Sequence, residues 1–218
     1  MIPLGLGIVG AGVAIAMMDP ADDTAAPPGG GKWRDPRAPA EIRRLAAPIE
    51  RATGWVGLAD FLVAVAWWES RGAAGAVNPE GGPNAARGLL QIRPRSSSNQ
   101  GIVDDPSLLL MPAINIAIGA DYAYRMVERW RQKMGNVLKP DWLAIRRGWA
   151  CGALVDDVDE IKSIPGCPPS AEVRARFLKA LDAVGLSRGF AELPAEPRTW
   201  PGQQAVLGMT LNIANEGS

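Results

Sequence analysis

The sequence contains no histidine among its 218 residues, and this absence narrows the chemistry that the chain can perform. A serine or cysteine nucleophile without histidine lacks its usual base, and a zinc site lacks its commonest nitrogen ligand. Carboxylic acids then become the natural groups for proton transfer. If the protein is an enzyme, the sequence predicts carboxylate chemistry with no metal and no cofactor.

Cysteine is nearly absent as well, because Cys151 and Cys167 are the only two. Two thiols without histidine partners cannot complete a metal site. A disulfide between them stays open, since it depends on an oxidising compartment and on a distance that the sequence does not show. The acidic run at residues 156–160 (DDVDE) lacks the spacing and the glycine of an EF-hand calcium loop, so we predict a solvated acidic turn there.

An excess of charge is also missing, since Lys and Arg together number 23 and Asp and Glu together number 23. This balance gives no reason to expect nucleic acid as a partner. Apolar side chains, in contrast, make up 47% of the residues. In a chain of this length that proportion predicts a real hydrophobic core.

Some of those apolar residues form an uncharged arm at residues 1–18. The run is about as long as a bilayer-spanning helix, but it lacks the basic start of a secretory signal. The alternatives are a membrane-inserting helix, an apolar arm docked in a hydrophobic assembly, and a cleaved signal. Residues 19–38 contain the proline and glycine composition of a linker.

We assign residues 39–189 to one domain and residues 190–218 to a C-terminal tail. Within the domain, apolar residues recur at intervals of three and four, which predicts amphipathic helices. No stretch shows the alternation of apolar and polar residues that is typical of a β-strand. The predicted fold class is therefore mainly α, with helices near residues 42–52, 58–69, 114–130, 142–149 and 170–184.

One of these helices carries a lone carboxylate. Glu69 falls on the same face of its helix as the apolar residues Leu58, Phe61, Leu62 and Val65. Gly72 follows closely, so Glu69 should lie in the last turn, where the helix dipole and the neighbouring tryptophans disfavour a negative charge. We expect a raised pKa for Glu69 and hence a proton donor. The alternative is an ordinary helix-end glutamate paired with Arg71 or Arg87.

The segment after this helix predicts a long loop. Residues 72–88 contain five glycines, two prolines and two asparagines, and no helical period survives there. A loop of this length beside a helix end favours a substrate cleft over a plain connector.

Three motifs in this region share their order and spacing with one enzyme family. They are Glu69-Ser70, residues 76–82 (AVNPEGG) and residues 88–92 (GLLQI). Together they resemble the signature of the soluble lytic transglycosylases, which are lysozyme-like enzymes that degrade peptidoglycan. Residues 105–106 (DP) and 115–122 (NIAIGADY) extend the resemblance, whereas residues 148–152 (GWACG) match the family's Ala-Tyr-Asn-Ala-Gly poorly.

The resemblance implies a lysozyme-like helical fold with a loop-lined cleft. It implies cleavage of the β-1,4 bond between N-acetylmuramic acid and N-acetylglucosamine, with Glu69 as the single acid and base and a 1,6-anhydro sugar as the product. It further implies that Ser70 supports the acid, that Asn78 lies near the substrate acetamido group and that Gln91 lines the sugar subsites.

Two aromatic residues complete the implied site. Tyr122 is expected to pack beneath the acid. Trp149 stands where the family has a tyrosine, and an indole cannot supply the hydroxyl that would reach toward the glutamate. Trp149 is therefore a candidate for stacking on a sugar, and core packing is its alternative role.

The expected partners follow from the same resemblance. They are peptidoglycan glycan strands and, through residues 1–18, a membrane or a hydrophobic assembly, in a membrane-associated protein of the periplasmic cell envelope or in a phage virion. Two other functions stay open. One is a hydrolysing lysozyme of the same fold, with Asp104 or Asp105 positioning water, and the other is a non-catalytic peptidoglycan-binding component of a virion or envelope.

Overall fold

The computed structural model describes residues 32–94, 105–133, 170–186 and 199–216. Five α-helices lie within these ranges, and we number them in chain order: α1 Ala38–Thr53, α2 Leu58–Ser70, α3 Pro112–Lys133, α4 Ser170–Ala183 and α5 Gln203–Glu216. Among the described residues there is no strand longer than an isolated bridge. The prediction of a mainly α fold is confirmed.

The first two helices begin and end where their sequences predict. Gly54 adopts the left-handed conformation that ends α1, at φ 66°, and its N–H donates to the carbonyl of Glu50. The carboxylate of Glu50 accepts a hydrogen bond from the N–H of Ala59, at 3.1 Å, in the first turn of α2. An anion at a helix N-terminus is favoured by the dipole, so Glu50 of α1 stabilises the start of α2.

Helix α2 is the central helix of the described structure. It packs against α1, α3 and α4. The sequence pattern predicted one apolar face, but nearly the whole helix is buried, including Val63, Ala64 and Trp67 outside that face. The run between Asp60 and Glu69 contains no charged residue, as a helix that neighbours cover on several sides requires.

The later helices also follow the predicted apolar period. On α3 the buried side chains include Ile114, Ile118, Tyr122 and Met126. Helix α4 begins at Ser170, directly after two prolines, and it buries Phe177 and Leu181. The ring of Phe177 meets Phe61 of α2 edge-on at 5.9 Å between centroids. The predicted helix near residues 142–149 lies outside the described residues.

A helix that the sequence analysis did not propose lies in the C-terminal tail. Helix α5 packs against α1 and α3. Just before it, Trp200 stacks on Tyr124 with ring centroids 4.5 Å apart and donates its indole N–H to the buried carboxylate of Asp121, at 3.0 Å. Asp121 also pairs with Arg125 at 2.8 Å, which satisfies its second oxygen.

None of the helices in the described ranges has both the length and the apolar character needed to cross a bilayer. The apolar arm at residues 1–18 lies outside those ranges, as do Trp149, Cys151 and Cys167.

Candidate active site

The candidate acid lies at the carboxyl end of the central helix. Glu69 is the penultimate residue of α2 and is partly buried. Arg71 follows in the left-handed conformation, at φ 58°, and its N–H donates back to the carbonyl of Ala66. This turn ends the helix sharply, so the backbone that carries Glu69 is fixed by hydrogen bonds on both sides.

Ser70 joins that helix end to the motif that follows the loop. Its buried hydroxyl donates to the carbonyl oxygen of Leu89, at 2.8 Å, and also lies 3.2 Å from the carbonyl of Ala66. The hydroxyl oxygen of Ser70 also accepts a hydrogen bond from the N–H of Gly72, at 3.1 Å. Ser70 therefore fixes the backbone that directly follows Glu69.

The GLLQI motif forms a tight turn closed by an antiparallel backbone pair. Arg87 and Ile92 exchange two hydrogen bonds, each 3.0 Å long. Gly88 and Gln91 both adopt positive φ, at 76° and 48°. A Cβ at Gly88 would lie 2.2 Å from the carbonyl oxygen of Leu109, so glycine is required there for two separate reasons.

Gln91 bonds to backbone atoms of this region. Its side-chain amide donates to the carbonyl of Gly88, at 2.9 Å, and to the carbonyl of Ala76, at 3.3 Å. These contacts connect the turn to the start of the preceding loop. Gln91 is partly buried, which leaves part of the residue at the surface.

Asn115 at the start of α3 is a site residue that the sequence analysis did not single out. Its buried amide group accepts the N–H of Leu90, at 2.8 Å, and donates to the carbonyls of Leu109 and Arg87, at 2.8 and 3.0 Å. One side chain thus satisfies three backbone groups of two segments. Its place in the NIAIGADY motif was the available signal, but the motif does not show those partners.

The loop over residues 72–88 is more ordered than its composition predicts. It contains a 3₁₀ segment, Pro79–Asn84, interrupted at Gly82. Val77 and Arg87 form an isolated antiparallel bridge, and the N–H of Asn78 donates to the carbonyl of Ala86, at 2.9 Å. The stretch is a loop, as predicted, and prolines and short-range pairing give it local structure.

Three of the six predicted site residues take part in the hydrogen bonds of this region. Ser70 and Gln91 bond through their side chains and Asn78 through its backbone N–H, and Glu69 directly precedes Ser70. Tyr122 lies on α3 and is buried, with 6% of its surface exposed. Trp149 lies outside the described residues.

A second carboxylate in this region, that of Asp105, caps the start of a 3₁₀ helix. Asp105 accepts hydrogen bonds from the hydroxyl and the backbone N–H of Ser107, at 2.6 and 2.8 Å, and so begins the 3₁₀ helix Pro106–Leu110. These bonds, helped by the charge of Arg87, hold the pKa of Asp105 below its ordinary value of 3.8. Asp105 is therefore ionised at neutral pH and cannot serve as a proton donor there.

Two arginines beside the site are partly removed from water. Burial lowers the pKa of Arg71, with a smaller contribution from the charge of Arg34, and burial lowers the pKa of Arg93. The guanidinium of Arg71 lies 3.7 Å from the centre of the Trp67 ring. This cation–π contact holds the side chain of Arg71 against α2.

The described residues therefore place the carboxyl group of Glu69 at a hydrogen-bonded helix end that is joined to the GLLQI turn. Within those ranges, no group of three or more His, Cys, Asp or Glu side chains is placed to hold a metal ion. A single fixed carboxylic acid can donate a proton to a leaving oxygen and can later accept one.

Comparison with known proteins agrees with this geometry. Residues 48–154 match the family profile described as Transglycosylase SLT domain. The matched range includes Glu69, the loop, the GLLQI turn and Asn115. Searches of curated proteins and of solved structures found no match. The domain indicates a lytic transglycosylase with a lysozyme-like helical fold that acts on peptidoglycan of the cell wall.

Proposed function

Because residues 48–154 belong to the transglycosylase SLT family, we propose that Glu69 is the single acid and base of a lytic transglycosylase. In this proposal the enzyme cleaves the β-1,4 bond between N-acetylmuramic acid and N-acetylglucosamine. The product is a 1,6-anhydro-muramyl end, formed without addition of water.

The proposed reaction has two proton transfers. Glu69 first donates its proton to the glycosidic oxygen, and that bond breaks while the substrate's own acetamido group assists at the anomeric carbon. The carboxylate of Glu69 then accepts the proton of the muramyl 6-hydroxyl, whose oxygen bonds to the anomeric carbon and displaces the acetamido oxygen from it. The acid regains its proton, so the cycle needs no second carboxylate.

The observation that supports this role is the fixed end of α2. The Ser70–Leu89 hydrogen bond and the left-handed turn at Arg71 restrict the backbone on which Glu69 stands. Catalysis by a positioned group depends on such restriction, because the acid must meet the leaving oxygen within hydrogen-bond distance.

We also propose roles for the residues around the acid. Asn78 lies on the loop and would bind near the acetamido group, and Gln91 would line a sugar subsite while its amide holds the turn. Tyr122 would pack beneath the acid from α3. For Trp149 we propose stacking on a sugar ring, which requires no hydroxyl group.

A hydrolysing lysozyme is the rival with the most similar chemistry. Such an enzyme would need a carboxylate to orient water, and Asp105 is charged as that role requires. In the structure Asp105 accepts two hydrogen bonds from Ser107, which give it a structural role at the start of a 3₁₀ helix. Asp104, the other carboxylate of this alternative, lies outside the described residues.

For the biological role we propose local penetration of the cell wall, by a phage or by an envelope-spanning assembly. The apolar arm at residues 1–18 would tether the domain to a membrane or to a hydrophobic assembly. Residues 19–31, the part of the predicted linker that precedes the described residues, would leave the active site free to reach glycan strands.

The decisive experiment is mass analysis of the fragments released from purified peptidoglycan. We expect anhydro-muramyl ends from the wild-type protein. Reducing ends would instead identify a lysozyme, and an absence of products would favour the non-catalytic role.

Glu69→Gln tests the assignment of the acid. The amide keeps the shape of the side chain but carries no transferable proton, so the rate should fall by about 10²–10⁴-fold with an unchanged thermal unfolding midpoint. Glu172→Gln on α4 is a matched control, because Glu172 pairs with Arg176 on the same helix. Wild-type activity of Glu69→Gln would contradict the assignment.

A further inference from the structure

Residues that lie outside the family match are packed against the end of the helix that carries Glu69. Residues 32–37, which we call the N-terminal strap, precede α1 and are not part of the matched range 48–154. Asp35 accepts the N–H of Arg37, at 2.9 Å, and this bond turns the strap into α1. The strap is thus held at its α1 end.

One contact between the strap and α2 is a backbone hydrogen bond. The N–H of Arg34 donates to the carbonyl oxygen of Arg71, at 2.8 Å. Arg71 is the residue that ends α2, two positions after Glu69. Carbonyl groups at the carboxyl end of a helix lack partners within the helix, so a donor from outside restricts the direction in which the chain leaves.

The second contact is between Trp33 and Gly72. A Cβ at Gly72 would lie 2.6 Å from Cε3 of Trp33 and 2.7 Å from Cβ of Ala38, so the partly buried indole lies directly against the glycine backbone. Gly72 is buried and has φ 77°. Only glycine can combine this conformation with so close an approach.

These contacts form one unit with the Ser70 hydrogen bonds. Ser70 accepts the N–H of Gly72 on one side, while Trp33 and Ala38 close the other side. The segment 70–72 is therefore confined from both directions. Glu69 directly precedes it, so a shift of this segment would move the carboxyl group.

We propose that Trp33 is a positioning residue for Glu69. By packing on Gly72 it fixes the turn that ends α2, and so it holds the acid at the distance from the leaving oxygen that proton transfer requires. The proposal rests on the proposed function, in which Glu69 is the acid and base. It extends the functional unit beyond the matched domain to the strap.

The test compares full-length variants by kcat and KM on soluble glycan strands, with thermal unfolding as the measure of stability. Trp33→Ala should lower kcat by up to about 10²-fold with little change in KM, because misplacement of a catalytic group by about 1 Å has that effect. Trp33→Phe keeps an aromatic ring on Gly72 and should restore most of the lost rate.

Trp200→Ala is the matched control. Trp200 is also a partly buried indole packed on the core, but its partners are Tyr124 and Asp121 on α3 and Trp55, which lies before the start of α2 and not at the end that carries Glu69. We expect it to lower the unfolding midpoint while kcat stays within about twofold of wild type. The pH profile of kcat/KM should shift in Trp33→Ala and not in Trp200→Ala, since a displaced acid changes its surroundings.

Several results would overturn the proposal. They are wild-type kcat in Trp33→Ala, equal losses of kcat in Trp33→Ala and Trp200→Ala, and a change confined to KM. If Trp33→Ala does not fold, Trp33→Leu is judged by the same criteria, and failure of both to fold identifies Trp33 as a core residue only. Glu69→Gln separates the two hypotheses, because its retained activity would contradict the proposed function, whereas an inactive Glu69→Gln beside an unimpaired Trp33→Ala contradicts only this inference.

Discussion

The hydroxyl of Ser70 donates a 2.8 Å hydrogen bond to the carbonyl oxygen of Leu89, which joins two segments 19 positions apart in the chain. One segment ends α2, and the other is the GLLQI turn. Both segments belong to motifs that carry the family resemblance. The bond gives a reason for a serine after the glutamate, because the serine hydroxyl fits between the two backbone segments and holds them in register.

Replacement of this hydroxyl should lower both stability and activity. Ser70→Ala leaves the buried carbonyl of Leu89 without its donor, and we expect a loss of about 1–3 kcal/mol in the free energy of unfolding. Chemical denaturation measures this loss. Ser107→Ala is the control, because its hydroxyl is exposed, and it should cost less. Equal losses of unfolding free energy in the two variants would contradict a larger contribution of the Ser70 hydrogen bond to stability.

The buried amide of Asn115 should be still less tolerant of substitution. Asn115→Ala leaves the N–H of Leu90 without this acceptor and removes the amide donor to the carbonyls of Leu109 and Arg87, so we expect a loss of about 3 kcal/mol. Asn115→Asp keeps the acceptor for Leu90 but turns a carboxylate toward two carbonyl oxygens. Burial beside these oxygens raises the pKa of a carboxyl group, so Asn115→Asp should gain stability as the pH falls through that raised pKa.

Asn212→Asp on the exposed side of α5 is the control for that pH dependence. Its stability should follow the wild-type curve. If Asn115→Asp is as stable as wild type at neutral pH, the amide of Asn115 does not hold the turn as the hydrogen bonds indicate.

Three glycines allow the cost of backbone strain to be measured separately from the cost of a steric contact. Gly75 has open space around it, Gly185 has open space but φ 75°, and Gly88 has both φ 76° and a carbonyl oxygen 2.2 Å from a Cβ. Substitution by alanine should be nearly neutral at Gly75, cost about 1 kcal/mol at Gly185 and cost most at Gly88. Thermal or chemical unfolding gives the order, and a Gly88→Ala protein as stable as Gly185→Ala would contradict the close approach.

The carboxyl group of Asp105 should titrate below its ordinary pKa of 3.8, because Ser107 donates two hydrogen bonds to its charged form. A group whose folded-state pKa is lowered stabilises the fold above its unfolded pKa, and this contribution is lost as the pH falls through the folded pKa. The stability difference between wild type and Asp105→Asn should therefore shrink on acidification. A carboxyl titration by NMR with a midpoint above 3.8 would contradict the hydrogen bonding.

The arm at residues 1–18 should tether the domain and take no part in the chemistry. The full-length protein should bind liposomes or require detergent, and because the arm contains no Lys or Arg, added salt should not release it. A chain without these residues should be soluble and active. Loss of folding on their removal would instead make them part of the domain core.

Much of the helical framework could be predicted from the order of residues. The spacing of apolar residues anticipated α1, α2, α3 and α4, and Gly54 ends α1 as a glycine after a helix commonly does. This succeeds because helix periodicity and terminal glycines act over a few positions. Helix α5 was missed, since its residues are apolar on several sides and show no clear stripe.

The surroundings of the candidate acid were less accessible to prediction. The motif placed Glu69 at a helix end, but the packing of α1, α3 and α4 around α2 depends on contacts between distant segments. The same holds for the three hydrogen bonds of Asn115 and for the indole of Trp33 against Gly72. Each of these contacts forms only when the whole core has assembled.

For this protein the local pattern of residues was enough to predict the helices α1 to α4, the carboxylate at a helix end and the family of the domain. The surroundings of that carboxylate depend on folding, because Leu89, Asn115 and the N-terminal strap, which bond to the end of α2 and to the GLLQI turn, come from different parts of the chain. Short-range backbone preferences select an element, whereas burial and hydrogen bonding between elements select its neighbours.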